Sequence, residues 1–238
     1  MKESIKLIIF GASGRMGRAL LRIAASDHRF ELVAGVVGRN VLPIEGVSCP
    51  LFAIHQLDEL PKFDIAIDFS QPEAFETILQ ICKTHPAALV SGTTGLNDQQ
   101  KKYMAETSKE IPVLWASNFS IGVAVLNDLT RRAANALKEW SVEITETHHV
   151  HKKDAPSGTA LTLGQSAEQN TGQAAKYTSH REGEVIGDHT VKFCGPGEFI
   201  ELRHNALDRD IFVRGALEAA NRLREKSPGL YQFSELIL

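Results

Sequence analysis

The feature that most constrains the fold is an alternation of short apolar runs and amphipathic segments along the first half of the chain. The run over residues 5–10 is rich in β-branched residues and ends at Gly11, which is typical of a strand buried on both faces. A helical pattern follows over residues 15–26, and a second apolar run covers residues 30–37. Together these segments predict a βαβ unit that begins at residue 5.

The alternation continues to about residue 117. Further strands are predicted over residues 63–70, 87–92 and 112–117, with helices that begin at Pro72 and near residue 97. Such alternation forms a parallel sheet covered by helices, so the first half is predicted to be a Rossmann-type α/β domain. Ligands of these sheets bind at the carboxyl ends of the strands.

The pattern changes after Ser117. The sequence predicts a long helix over residues 121–139 and a half-buried strand over residues 141–150. A second helix starts at residue 157, and a polar stretch covers residues 170–188. A hairpin is predicted over residues 189–204, with its turn at residues 195–197. A last helix over residues 210–225 is placed with the first domain. We therefore predict a dinucleotide-binding domain of residues 1–119 plus 210–238, and an α+β domain of residues 120–209 for substrate binding and oligomerisation.

Composition excludes several classes of protein. The 26 Lys and Arg against 29 Asp and Glu give a net charge of −3, so no strong field attracts nucleic acid or an anionic membrane. The three cysteines are widely spaced and odd in number, which fits reduced thiols. No apolar run approaches a span of ~20 residues, and no signal peptide pattern is present. We expect a cytoplasmic protein that binds neither nucleic acid nor membrane.

The segment between the first strand and the first helix has the spacing G-x-x-G-x-x-G. Glycines there let the backbone approach a pyrophosphate, and the helix N-terminus supplies positive potential. Ser13 occupies a position that is often glycine, so the spacing alone is a weak signal. The alternative is a tight turn that only packs the helix against the strand.

The end of the second strand reads Gly38-Arg39 and carries no carboxylate to accept hydrogen bonds from ribose hydroxyls. A guanidinium can pair with a 2′-phosphate, which favours NADPH over NADH. The alternative is a solvated loop arginine. Two later loops, at residues 91–95 and 117–120, follow strands in equivalent places, although Ser or Asn there is often only a helix N-cap.

The densest chemistry lies in the string ETHHVHKKDAPSGTA at residues 146–160. Strand periodicity places His149 and His151 on one face and His148 on the other. A histidine near Lys152 can bind an anion and transfer a proton, and the helix start at residues 157–159 suits a carboxylate. The string predicts a dianion site with a proton donor. The alternatives are a zinc site of three histidines and surface histidines beside a helix cap.

In these motifs the chain resembles the dihydrodipicolinate reductase family over nearly its whole length. The resemblance rests on GASGRMG, SGTTG, SNFSIGV and above all ETHHVHKKDAPSGTA, together with the stretch from Arg181 to His189. It implies a homotetramer of diaminopimelate and lysine biosynthesis. The implied activity is reduction of a small cyclic dicarboxylate, 4-hydroxy-tetrahydrodipicolinate, to tetrahydrodipicolinate by NADPH or NADH.

The resemblance also implies roles for individual residues. It makes His148 the catalytic acid/base and Lys152 the proton donor, with His149, Gly158 and Thr159 as substrate contacts and no metal. Many relatives have an acidic residue where this chain has Gly38, which leaves the coenzyme preference open. The implied coenzyme contacts are Gly11, Ala12, Ser13, Gly14, Arg15, Met16, Arg39, Gly92, Thr93, Thr94, Ala116, Ser117, Asn118 and Phe119.

Two other functions remain as alternatives. A semialdehyde dehydrogenase on the same two-domain plan needs a nucleophilic cysteine, and none of Cys49, Cys82 and Cys194 lies beside an activating motif. A dinucleotide-sensing regulator would have no use for a proton donor beside an anion site.

Overall fold

The computed structural model describes residues 3–238. They pack into two units, one of residues up to Phe119 together with Phe212–Leu238, and one of Ser120–Ile211. The strands are β1 (Ile5–Phe10), β2 (Phe30–Val37), β3 (Leu51–Ala53), β4 (Ile65–Asp68), β5 (Ala88–Ser91), β6 (Pro112–Trp115), β7 (Ser141–His148), β8 (Lys176–Arg181), β9 (Gly187–Gly195), β10 (Glu198–Ala206) and β11 (Gly229–Tyr231). The α-helices are α1 (Arg15–Ala24), α2 (Phe75–Thr84), α3 (Asp98–Thr107), α4 (Ile121–Ala136), α5 (Gly158–Thr171), α6 (Asp210–Leu223) and α7 (Phe233–Ile237).

The first unit is built on a seven-stranded parallel sheet, which confirms the predicted Rossmann-type domain. Its strand order is β11-β6-β5-β4-β1-β2-β3, and every adjacent pair is parallel. The chain runs outward in opposite directions from β1 and β4, so the loops after these two strands flank a crevice. This is where such a sheet binds a dinucleotide.

The apolar runs explain the central position of these strands. Every residue of β4 is buried, and β1 is buried except at Lys6, as expected of strands covered by helices on both faces. Helix α1 turns Leu20, Leu21 and Ile23 toward the core. A methyl group on Gly35 would lie 3.1 Å from Ala12 Cβ and 2.8 Å from Leu51 Cδ2, so a side chain there would force both neighbours to shift.

The second unit has a mixed four-stranded sheet in the order β10-β9-β7-β8, which confirms the predicted α+β unit. Strands β7 and β8 are parallel, whereas β9 is antiparallel to both β7 and β10. Helices α4 and α5 pack together, α5 against β7 and α4 against β10. The core between them includes Leu126, Ile144, Leu163 and Phe193. The predicted hairpin of β9 and β10 is confirmed.

Several sequence predictions of elements were wrong. The stretch 170–188, predicted to be irregular, contains β8, whose residues are alternately half-buried and exposed but never fully buried. Strand β7 ends at His148 rather than continuing to residue 150. Strands β3 and β11 were not predicted because each has only three residues. No helix in the part of the chain described here is long and apolar enough to cross a membrane.

Candidate active site

The loop between β1 and α1 depends on its glycines. Gly11 has φ +74°, and a methyl group there would lie 2.6 Å from the carbonyl oxygen of Phe69. A methyl group on Gly17 would lie 2.1 Å from the carbonyl oxygen of Gly11. The loop therefore packs α1 closely against the end of β1. Such packing is the structural alternative given above for the glycine spacing. It also fixes the residue at which the helix begins.

The start of α1 fits a dinucleotide pyrophosphate. The N-cap is Gly14, which has no side chain to accept hydrogen bonds from the first turn, and it is exposed. Uncapped N–H groups at a helix N-terminus favour an anion. Ser13 and Arg15 are exposed and Met16 is half-buried, whereas Ala12 is buried and donates its N–H to Val36 O at 3.0 Å.

Arg39 lies directly after β2, at the edge of the sheet where a coenzyme ribose would bind. Its side chain is exposed, as are Gly38 and Asn40 beside it. The structure thus leaves a guanidinium, and no carboxylate, at the residues immediately after β2. This arrangement suits a 2′-phosphate.

In the loop after β5, two neighbouring threonines lie in different environments. Thr93 is buried and donates from Oγ1 to Asp68 Oδ2 at 2.8 Å, while its carbonyl accepts from Trp115 Nε1 at 2.8 Å. Thr94 is exposed. Gly92 lies against the ring of Phe69, where a methyl group would be 2.3 Å from Cε1. The hydroxyl of Thr93 is therefore committed to the interior, and Thr94 presents the polar surface of this loop.

The residues of the loop after β6 also differ in how deeply they are buried. Phe119 is buried with its ring 5.5 Å from that of Phe69 and 5.2 Å from that of Phe233, so its side chain belongs to the core. Ala116 and Asn118 are half-buried and Ser117 is exposed. Of these predicted coenzyme residues, Ser117 is exposed, whereas Phe119 is committed to the core.

In the second unit, His148 lies at the last position of β7. Side chains two residues apart on a strand share a face, and His148 Nδ1 contacts the Oε2 atom of Glu146. Both side chains are buried, Glu146 almost completely. Burial lowers the pKa of His148, against the opposing effect of the Glu146 carboxylate. The imidazole is therefore held through Nδ1, which leaves Nε2 for chemistry.

The chain leaves the sheet after His148, so the prediction that His149 and His151 share a strand face was wrong. Their rings are 6.2 Å apart in the loop that follows. His149 Nδ1 is buried and has no hydrogen-bond partner among residues 3–238. Lys152 is on the same loop, with its Nζ 2.9 Å from Asp154 Oδ1 and its side chain 22% exposed.

The helix start at residues 157–159 combines a cap with an open position. Ser157 is the N-cap of α5, and its Oγ accepts a hydrogen bond from Ala160 N at 3.2 Å. This is the capping role that the sequence left open for Ser157. The same oxygen lies 3.2 Å from His189 Nε2. Gly158 is exposed, and a methyl group there would have nothing within 4 Å. The helix N-terminus next to Gly158 can therefore be approached by a carboxylate.

The structure reveals functional candidates that the sequence analysis did not name. Burial of Glu146 opposes its ionisation, yet hydrogen bonds from Ser179, His148 and Arg181 outweigh burial, and its pKa lies below the usual value. Period-2 alternation could have placed Glu146 beside His148. The contact of Arg181 with Glu146 could not be inferred without knowing that Lys176–Arg181 form β8. Within the described residues no group of three or more His, Cys, Asp or Glu side chains is arranged to hold a metal ion.

Comparison with known proteins covers the whole of this architecture. A family model described as dihydrodipicolinate reductase, N-terminus, matches residues 5–119, and its C-terminus counterpart matches residues 122–237. Relatives named 4-hydroxy-tetrahydrodipicolinate reductase include one from Xanthomonas campestris pv. campestris strain B100, 51% identical over 98% of both chains. Another, from Xylella fastidiosa strain 9a5c, is 49% identical over 100% of both.

Solved structures share the fold. Dipicolinate-bound dihydrodipicolinate reductase from Paenisporosarcina sp. TG-14 superposes with a TM-score of 0.86 at 24% identity, covering 99% of this chain and 100% of that one. An engineered D-amino acid dehydrogenase bound to NADP+ superposes with a TM-score of 0.63 at 16% identity, covering 98% and 94%.

Proposed function

The chain belongs to the dihydrodipicolinate reductase family, and from that premise we propose which of its residues carry out the reaction and which coenzyme it uses. Its activity is the reduction of 4-hydroxy-tetrahydrodipicolinate, a step of diaminopimelate and lysine biosynthesis. A nicotinamide coenzyme is implied. The proposal assigns coenzyme binding to the first unit, and substrate binding and proton transfer to residues 148–159.

The coenzyme pyrophosphate binds at the N-terminus of α1, against the exposed Ser13, Gly14 and Arg15. Arg39 pairs with the 2′-phosphate, so NADPH is preferred while NADH remains usable. Thr94 and Ser117, exposed after β5 and β6, contact the nicotinamide half. When bound, the coenzyme supplies the hydride. The other residues predicted in these loops take part through their backbone or by supporting it.

The substrate is a dianion at neutral pH, so it needs more than one cationic or N–H partner. Lys152 supplies a charge, and the N-terminus of α5 at Gly158 and Thr159 supplies backbone dipoles. His149 is a further substrate contact in this proposal, and its ring nitrogen Nδ1 has no hydrogen-bond partner among residues 3–238. These groups hold the ring in one orientation, which lowers the entropic part of the barrier.

The reaction requires protons at defined atoms. The product lacks the hydroxyl group of the substrate, so water is released and a proton must reach the departing oxygen. The ring gives up one proton as the water leaves and then gains one hydride and one proton, so the overall reaction consumes one hydride and one proton. Lys152 is the proton donor, and His148 exchanges a proton through Nε2 while Glu146 holds Nδ1. A homotetramer and a cytoplasmic location complete the proposal.

The observation that carries the proposal is the buried contact of His148 with Glu146, on the strand that leads into the loop of Lys152. The test is a spectrophotometric assay of coenzyme oxidation with synthase-generated substrate. His148→Ala and Lys152→Met should each lower kcat by ~10² or more, with an unchanged KM for NADPH.

The neighbouring residues supply matched controls, since His151 and Lys153 are both exposed. His151→Ala and Lys153→Met should retain kcat within about twofold. Wild-type turnover in either His148→Ala or Lys152→Met, or an equal loss of coenzyme binding, would overturn the assignment.

A further inference from the structure

One guanidinium connects the two residues to which proton transfer is assigned. Arg181, at the end of β8, donates from Nη1 to both carboxylate oxygens of Glu146 at 3.0 and 3.1 Å. Its Nε donates to the carbonyl of Lys152 at 3.2 Å, and its Nη2 to the carbonyl of Asp154 at 2.5 Å. The same side chain therefore holds the partner of His148 and the backbone that carries Lys152.

The sheet register explains how this contact arises. Strands β7 and β8 run parallel, with His148 opposite Arg181 and Glu146 opposite Ser179. Arg181 and His148 thus end neighbouring strands side by side, at the point where the chain turns away into the loop. The rigid, planar guanidinium can reach the carboxylate and the loop carbonyls at once, which an ammonium cannot.

The charge on Glu146 depends on these partners. A buried carboxylate without a cation would take up a proton instead of remaining ionised. An ionised Glu146 can only accept, so it fixes the His148 proton on Nδ1 and leaves Nε2 toward the substrate. Arg181 keeps this acceptor ionised and at the same time limits where the Lys152 loop can lie.

We infer that Arg181 and Glu146 form a positioning pair that holds His148 and Lys152 in one productive arrangement. Neither member of the pair touches the substrate in this account. The inference rests on the proposed function, because it assigns these two residues the task of placing its proton donors.

The pair predicts a change in the pH profile that a merely structural role would not produce. The groups facing His148 are Glu146 on its own strand, Lys152 in the following loop, Arg181 on β8 and His189 on β9. Of these, only Glu146 favours the protonated imidazole. In Glu146→Gln, the His148 limb of kcat/KM should therefore move to lower pH.

The experiment compares Glu146→Gln, Arg181→Lys and the double variant, all in the full-length enzyme. Each single variant should lower kcat by about tenfold or more at an unchanged KM for NADPH, because proton transfer loses its alignment. The double variant should be little worse than the poorer single one, since both break the same link. Arg203→Lys is the matched control, as Arg203 is exposed on β10 and should retain full kcat.

Circular dichroism and the thermal midpoint establish that each variant is folded. If Glu146→Gln does not fold, Arg181→Lys, which keeps the charge, tests the inference alone. A kcat of Arg181→Lys equal to that of Arg203→Lys would then overturn it. An unmoved pH limb in a folded Glu146→Gln, or strictly additive losses, would overturn it too. Those results leave the proposed function intact as long as His148→Ala still loses turnover, whereas an active His148→Ala removes both.

Discussion

The hydroxyl of Thr93 donates a 2.8 Å hydrogen bond to the buried carboxylate of Asp68, at the carboxyl end of the parallel sheet. Ser91 Oγ donates to the same oxygen at 2.8 Å, and the Ser70 N–H donates to the other at 2.9 Å. Burial raises the pKa of Asp68, while these hydrogen bonds act in the opposite direction. Asp68 thus ties the loop after β5 to the loop after β4, at the crevice where the coenzyme is proposed to bind.

The two threonines of this loop should therefore respond differently to loss of the hydroxyl group. Thr93→Val removes a donor to a buried carboxylate and should lower the free energy of unfolding by about 1–3 kcal/mol. Thr94→Val should leave the stability unchanged and raise the KM for the coenzyme. Denaturant unfolding and initial rates measure the two effects. A Thr93→Val protein as stable as Thr94→Val would show that the Asp68 contact has no energetic role.

The glycine loop allows a similar comparison. Gly17→Ala places a methyl group where the carbonyl of Gly11 lies, so α1 must shift and the unfolding free energy should fall by about 1–3 kcal/mol. Coenzyme affinity should fall with it. Gly38→Ala, where nothing lies within 4 Å, should change the stability by less than about 0.5 kcal/mol. Fluorescence titration with NADPH, run beside denaturant unfolding, makes the comparison. Equal stability and affinity in both variants would refute the packing argument.

Arg39 should distinguish the two coenzymes. Arg39→Ala should raise the KM for NADPH more than that for NADH, because only NADPH carries the 2′-phosphate. The exposed Lys102 on α3 supplies a control, and Lys102→Ala should change neither constant. Initial rates with each coenzyme at saturating substrate measure the ratio. An identical effect of Arg39→Ala on both coenzymes would remove the proposed role.

His189 should make stability depend on pH. Burial, reinforced by the charge of His148, lowers the pKa of His189 to about 4 from an ordinary 6.5. Between these values the unfolded chain binds more protons than the folded one, so stability should fall as the pH drops from about 6.5 to about 4. At about 1.4 kcal/mol per pKa unit, His189 contributes up to roughly 3 kcal/mol of this loss.

His189→Gln, which cannot titrate, should show a correspondingly flatter dependence of the unfolding midpoint on pH. Exposed His151→Gln is the control and should keep the slope of the natural chain. Equal slopes in the two variants would show that His189 is not the titrating group.

The sequence was sufficient where the signal is local. Strand and helix alternation predicted the parallel sheet, and one string of residues contained His148, Lys152 and Gly158 together. It failed where a role depends on a distant partner. Thr93 turns inward, and Thr94 does not, because the Thr93 hydroxyl bonds to Asp68, which lies 25 residues earlier in the chain. No pattern within the loop itself carries that information.

The positioning pair was missed for a related reason. Arg181 is 35 residues from Glu146, and they meet only because β8 lies parallel to β7. The sequence Lys176–Arg181 is polar and contains no fully buried residue, so the hydrophobic pattern that identifies a strand is absent. Without β8 there was no register from which to infer the contact.

The central claim is that residues 148–159 hold a cyclic dicarboxylate, and a crystal structure of this protein with pyridine-2,6-dicarboxylate and NADPH tests it most directly. We predict density for the dicarboxylate within hydrogen-bonding distance of His149, Lys152 and the backbone at Gly158. Density for the dicarboxylate elsewhere in the protein, with none at these residues, would contradict the claim.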